Sequence, residues 1–253
     1  MAKIHLVSSP RNLSTALMYA FAQRKDMKVV DEPLYAHYLS VSRKQHPGRE
    51  AILRVQNPDG MEVLKEMAEK TYGKPHVFFK GMAKHLIELD WKKLLNFTTI
   101  IYLRNPHQLI ASFAKVIDHP KIHDIGIDIQ YQLFTFLRNN GVQPIILDSA
   151  ELLAAPAQVL ERVCKTIGIE FDPAMLSWEA GPRSEDGVWA PYWYKNVHAS
   201  TGFQKQATSD RPLPQSLTSL YEACLPYYQE MLAYGQEALS TKHTSSTHSD
   251  LSP

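Results

Sequence analysis

The chain of 253 residues has two cysteines, Cys164 and Cys224, and no C-x-x-C pair. That excludes a disulfide framework and a cysteine-rich zinc site. Cys164 falls on the apolar side of a helical pattern and is expected to be a buried thiol. Long apolar runs are also missing. None approaches the ~18 residues of a membrane span, and the first, Ile4–Val7, is too short for the core of a secretory signal. A soluble, cytoplasmic chain without a membrane partner is expected. No excess of one charge exists either: 27 basic and 26 acidic residues leave a formal net charge of +1. No global basic field therefore points to nucleic acid as a partner, and any anion must be held by local placement of charge. The phosphate-loop pattern GxxxxGK[ST] is absent, and no carboxylate cluster has the look of a magnesium site, so no metal is expected. No internal repeat is present.

What is present is a regular alternation. Five short apolar runs, Ile4–Ser8, Lys28–Asp31, His76–Lys80, Thr98–Arg104 and Pro144–Asp148, are separated by helix-patterned sequence. Runs of this kind read as buried parallel strands. The expected fold is α/β in three layers, a central parallel sheet of about five strands flanked by helices. Apolar content of 44% suffices for one sizeable core,. A single domain over residues 1–240 is expected, followed by a disordered polar tail, 241–253. Within the domain, 157–168 reads as an amphipathic helix closed by Gly168, and 213–238 as the last helix. Residues 179–212 read as a long loop rich in Trp and Tyr (Trp189, Tyr192, Trp193, Tyr194, Phe203),.

Ligands of such sheets bind beyond the carboxyl ends of the strands. The first of these ends reads SSPRNLSTAL, where a phosphate loop would sit, yet it has no glycine. A helix N-terminus offers free N–H groups and the positive end of a dipole. Arg11 adds a guanidinium fork, and Ser14 and Thr15 add hydroxyls. Two readings stand for this segment: an anion site, or a surface helix capped by Asn12 or Ser14. The fourth strand ends in LRNPHQLIASF. There Arg104 closes the strand, Pro106 opens a helix, and Ser112 follows about two turns later. Alone, Arg104 could equally pair with a carboxylate.

Together these blocks resemble the sulfotransferase family, which moves a sulfuryl group from 3′-phosphoadenosine 5′-phosphosulfate. SSPRNLST resembles its 5′-phosphosulfate loop and LRNPHQLIASF its 3′-phosphate block. ILDSAELLAAPAQVLERVCKTIGIEFDPAML resembles a later structural stretch. The resemblance covers roughly residues 3–205 and implies a P-loop-type fold. It implies that Arg11, with Asn12, Leu13, Ser14 and Thr15, binds the 5′ end, and that Arg104 and Ser112 hold the 3′-phosphate. Lys80 would steady the transferring group. Ser200, Thr201, Gly202 and Lys205 would belong to a loop closing over the cofactor. The product would be adenosine 3′,5′-bisphosphate.

The general base is not fixed by the resemblance. One branch of the family has a histidine two residues beyond the strand lysine, where this chain has Met82. Glu32 is the first choice and His85 the second, with Asp31 expected to pair with a basic neighbour. The implied activity is sulfuryl transfer to a hydroxyl or amine of a small-molecule acceptor. An ATP-dependent phosphotransferase and a catalytically silent nucleotide-binding relative are the alternatives. The departure at Leu13, where the family has glycine, bears on both binding and activity: leucine at φ > 0 would cost roughly 1 kcal/mol or more. The Trp and Tyr residues of 179–205 would line the acceptor or stack on adenine. The oligomeric state, a homodimer included, is open.

Overall fold

The five apolar runs form one parallel sheet in the computed structural model, which describes residues 1–115, 117, 119–204 and 212–245. The strands are β1 (Lys3–Ser8), β2 (Met27–Asp31), β3 (His76–Met82), β4 (Thr98–Leu103) and β5 (Ile145–Asp148), in the order β2-β3-β1-β4-β5. Among the described residues twelve α-helices accompany them: α1 (Ser14–Ala22), α2 (Tyr35–Ser42), α3 (Arg49–Val55), α4 (Gly60–Glu69), α5 (Pro106–Phe113), α6 (Ile122–Ile125), α7 (Ile127–Asn139), α8 (Ser149–Ala154), α9 (Pro156–Ile167), α10 (Ala190–Trp193), α11 (Lys195–His198) and α12 (Thr218–Ser245).

Both faces of the sheet are covered, which is why its strands are apolar at consecutive positions rather than alternate ones. Ile4, Leu6, Phe78, Ile100, Tyr102 and Leu147 pack with Leu17 and Phe21 of α1 and Leu160 and Val163 of α9. On the other face Val7 and Phe79 meet Leu64 of α4 and Leu133 of α7. There also Ile101 and Leu103 meet Ile110 of α5 and Met231 of α12. The register aligns the carboxyl ends: Asp31 pairs with Lys80, Ser8 with both Met82 and Tyr102, and Leu103 with Asp148. The chemistry-bearing residues are thus gathered along one edge.

Two expectations are amended. The long segment after 179 is not plain loop, because α10 and α11 form within it around buried Trp189 and Tyr194. The amphipathic helix closes as expected on Gly168 at φ 83, whose N–H bonds back to Cys164 O, and Cys164 is buried. The last helix runs beyond 238 to Ser245, so the expected tail is helical over its first residues. The physical reason is that no glycine or proline interrupts 236–252,. The rest of the expected tail, 246–253, lies outside the described residues. No helix among the described residues is long and apolar enough to cross a membrane.

Candidate functional site: a cationic loop beside a closed lysine network

The β1–α1 loop turns without glycine by placing two ordinary residues in the left-handed region, Arg11 at φ 60 and Leu13 at φ 58. Leu13 is the N-cap of α1, and no side chain caps the helix. The capping alternative is therefore corrected for both residues. Asn12 is buried and its Nδ2 donates to the Tyr102 carbonyl at the end of β4, while Ser14 is already the first helical residue. The first N–H groups of α1 are left open toward the strand ends. Ser14 and Thr15 side chains hydrogen-bond to no described residue.

The two arginines converge. Arg11 Nε donates to Ser112 Oγ at 3.3 Å, and Arg104 Nη1 donates to the Arg11 carbonyl. Neither guanidinium pairs with a carboxylate among the described residues, so the carboxylate-pairing alternative for Arg104 is also corrected. Burial pushes the Arg104 pKa down, and Arg11 nearby pushes it further. Arg11 thus reaches toward Ser112 and Arg104, joining what the sequence treats as two separate clusters. Beneath them lies a residue the sequence reading missed. Gln130 of α7 accepts from Ser9 Oγ at 2.9 Å and donates to the carbonyls of Val7 and Tyr102. Its signal was a glutamine on the apolar stripe that continues through Leu133, Phe134 and Leu137.

At the β2–β3 end, Lys80 is buried and surrounded. Its Nζ donates to Asp31 Oδ1 at 3.1 Å, to Glu32 Oε1, and to Tyr194 Oη at 2.8 Å. The expected basic neighbour of Asp31 is therefore Lys80. Tyr194 donates to Asp31 Oδ2 at 2.7 Å and accepts from Trp189 Nε1 at 3.1 Å. Burial raises the Glu32 pKa against the pull of Lys80, and Glu32 itself sits at φ 37. His85 Nε2 lies 3.8 Å from Glu32 Oε2. Its ring packs against Tyr35 and Tyr38, which lie side by side on one of its faces, and neither of its nitrogens has a hydrogen-bond partner. Burial, Lys84 and Lys80 hold it neutral. Both base candidates thus belong to one cluster, Glu32 on Lys80 and His85 behind Glu32. Trp189 and Tyr194, read from sequence only as aromatic wall or adenine stack, pack against the network, Tyr194 through its hydroxyl. Met82 ends β3 opposite Ser8 and takes no part.

The closing-loop residues divide. Leu13, Ser200, Gly202 and Phe203 line one cleft of about 120 Å³, so the structure brings this segment to the loop. The Ser200 hydroxyl is engaged, accepting from Trp178 Nε1 at 3.2 Å and donating to Val197 O at 2.7 Å. Thr201 is exposed, and its carbonyl accepts from Trp178 N. Gly202 pairs with Ser177. Lys205 lies outside the described residues.

A parallel sheet of this order, covered by helices and carrying its polar groups at the strand ends, defines a P-loop-type α/β fold,. A family model described as a sulfotransferase domain matches residues 2–235, and the chain belongs to that family. It is 36% identical over 255 aligned positions to branched-chain-amino-acid aminotransferase-like protein 2 of Arabidopsis thaliana, which covers all of this chain and 44% of that protein. The chain thus spans less than half the length of the curated relatives it matches. Two solved structures share the fold. The sulfotransferase domain of the curacin biosynthetic pathway has a TM-score of 0.50 at 16% identity, covering 89% of this chain and 98% of that one. A sulfotransferase from Alicyclobacillus acidocaldarius has a TM-score of 0.51 at 14% identity, covering 93% and 96%.

Proposed function

We propose that the protein transfers a sulfuryl group from 3′-phosphoadenosine 5′-phosphosulfate to a hydroxyl or amine of a small-molecule acceptor, without a metal ion. The observation that carries this reading is the pair of guanidiniums, Arg11 and Arg104. They converge at Ser112 and the Arg11 carbonyl beside an uncapped helix, without a carboxylate partner among the described residues. Two like charges held together are relieved by an anion. The hydroxyls and N–H groups of Ser14 and Thr15 offer a second place for negative charge on the same ligand. The residues therefore fit a nucleotide with anions at both ends.

The donor, when bound, supplies an activated sulfuryl group on a phosphate that leaves well. Arg11, Ser14 and Thr15 hold negative charge at the loop, and Arg104 and Ser112 hold it at the β4 end. Lys80, released from Glu32, stabilises charge that develops during transfer more than charge already present. Glu32 takes the acceptor proton at its carboxylate. Burial makes it a stronger base than a surface carboxylate,. His85 stands behind Glu32 at 3.8 Å as a second proton carrier. Trp189 and Tyr194 exclude water from the lysine. Ser200, Thr201 and Gly202 belong to the segment that covers the nucleotide. Isothermal titration with adenosine 3′,5′-bisphosphate tests the reading: saturable binding supports it, and no binding at millimolar ligand refutes it. A melting temperature raised by ATP with magnesium, and not by the bisphosphate, would move the protein to the phosphotransferases.

A further inference from the structure

The 3₁₀ turn Ala83–Leu86 follows β3 directly and carries two polar side chains, Lys84 and His85, that have no hydrogen-bond partner among the described residues. Neighbouring cations are paired: Lys80 with Asp31 and Glu32, and Lys44 with Asp124 at 2.6 Å. Lys84 is different. No carboxylate lies within 4.0 Å of its ammonium among the described residues, which instead stands 5.2 Å from the centre of the Tyr38 ring. Burial draws its pKa down to about 8, and the attraction of Glu32 and Asp124 does not offset this. His85, next in the chain, has 1% of its surface exposed and two ring nitrogens without a partner. A buried polar group left unmade in this way calls for a ligand.

We propose that Lys84, with His85 beside it, anchors a carboxylate on the acceptor, so that the molecule sulfated is a hydroxy acid or amino acid rather than a neutral alcohol or amine. The proposal rests on the sulfotransferase reading. A carboxylate answers both needs at once, giving Lys84 a counter-charge and accepting a hydrogen bond from the neutral imidazole. With His85 Nε2 turned to Glu32, Nδ1 remains for the ligand. The rings of Tyr35 and Tyr38, side by side against one face of His85, suit an aromatic or branched body.

The test is calorimetric titration of the full chain, saturated with adenosine 3′,5′-bisphosphate, with 4-hydroxyphenylacetate and with its methyl ester. The acid is expected to bind at least about tenfold more tightly than the ester. The preference should vanish in Lys84→Met and survive in Lys84→Arg. Equal affinities in the wild type, no binding of the acid at millimolar concentration, or a preference that persists in Lys84→Met would each overturn it. The affinity for the bisphosphate is read in the same samples. Its absence in the wild type would be a failure of the sulfotransferase reading, and the acid-to-ester ratio would then be read on the unliganded chain. A loss of bisphosphate affinity confined to Lys84→Met would assign Lys84 to the donor and overturn the proposal.

Discussion

Glu32→Gln should stabilise the protein while disabling it. The buried network sets one cation, Lys80, against two carboxylates, Asp31 and Glu32, which leaves one negative charge without a counter-charge. Burial raises the Glu32 pKa from its ordinary 4.5, Lys80 notwithstanding. A proton on Glu32 is therefore held more tightly in the folded chain than in the unfolded one. That contribution to stability is fully present below about pH 4.5 and is lost as pH rises through the folded pKa. Glutamine keeps the shape and an oxygen for Lys80 but carries no charge. Lys80 retains Asp31 at 3.1 Å and Tyr194 at 2.8 Å, so it is not orphaned. Removing an uncompensated buried charge is worth several kcal/mol, and weakening one charged hydrogen bond costs ~1 kcal/mol or more. The net expectation at pH 8 is a gain of about 1–2 kcal/mol, a rise of roughly 2–8 °C in melting temperature at this chain length. The gain should shrink toward zero near pH 4.5. Calorimetric melts of both proteins across this range measure it, and turnover should fall by ~10²–10⁴ if Glu32 is the base. A variant less stable than wild type at pH 8 would refute the reasoning, because the carboxylate would then be a net stabilising partner of Lys80.

Three further outcomes are expected. Leu13→Gly should exceed Leu13→Ala in stability by ~1 kcal/mol, measured by urea unfolding, since φ 58 suits glycine alone,; an alanine variant at least as stable would remove the strain argument. Arg104→Ala should weaken adenosine 3′,5′-bisphosphate binding by ~1.5–3 kcal/mol in calorimetry, and an unchanged affinity would detach Arg104 from the nucleotide. Gly202→Ala should cost about 1–3 kcal/mol, because its Cβ would stand 2.9 Å from the Leu176 carbonyl, whereas exposed Thr201→Ala should stay within ~0.5 kcal/mol of wild type.

The strands were legible because each is a short apolar run whose pattern is set by burial on both faces, and their ends moved by no more than two residues: β3 gained Gly81 and Met82, and β4 released Arg104. The placement of Arg11 and Arg104 at strand ends was legible because a charge there has few apolar uses, and that of Ser112 from its spacing about two turns beyond Arg104,. Their mutual contact was not, because Nε of Arg11 reaches across 101 positions to Ser112, a distance that only the sheet order closes. The polar partners of Gln130 and Tyr194 were not legible for the same reason. Each serves the site through partners more than 100 residues away, Gln130 at Ser9 and Tyr194 at Asp31 and Lys80. Lys84 was invisible for another, since a lysine after a strand looks solvated until the turn and the aromatic rings around it are in place.

The loop's lack of glycine is answered by its surroundings. Two non-glycine residues in the left-handed region cost of order 1–3 kcal/mol each, and such a conformation persists where neighbouring contacts leave no alternative. Three contacts do so here. Asn12, between the two strained residues, is fixed by its bond to the Tyr102 carbonyl. The Arg11 carbonyl is held by Arg104, and Ser9 by Gln130 at 2.9 Å. At a net ~0.5–1.5 kcal/mol for a neutral bond and ~1.5–3 for a charged one, together they match the strain in size. All three anchors come from β4, α7 or the residue after β4, so the loop takes its shape from the neighbouring strand and from α7 rather than from its own sequence. The same tie that holds the loop also turns Arg11 toward Ser112, and the cationic cluster exists because the strain is held. Relaxing the loop by substitution at Arg104 would therefore loosen the geometry of Arg11 as well as remove a charge.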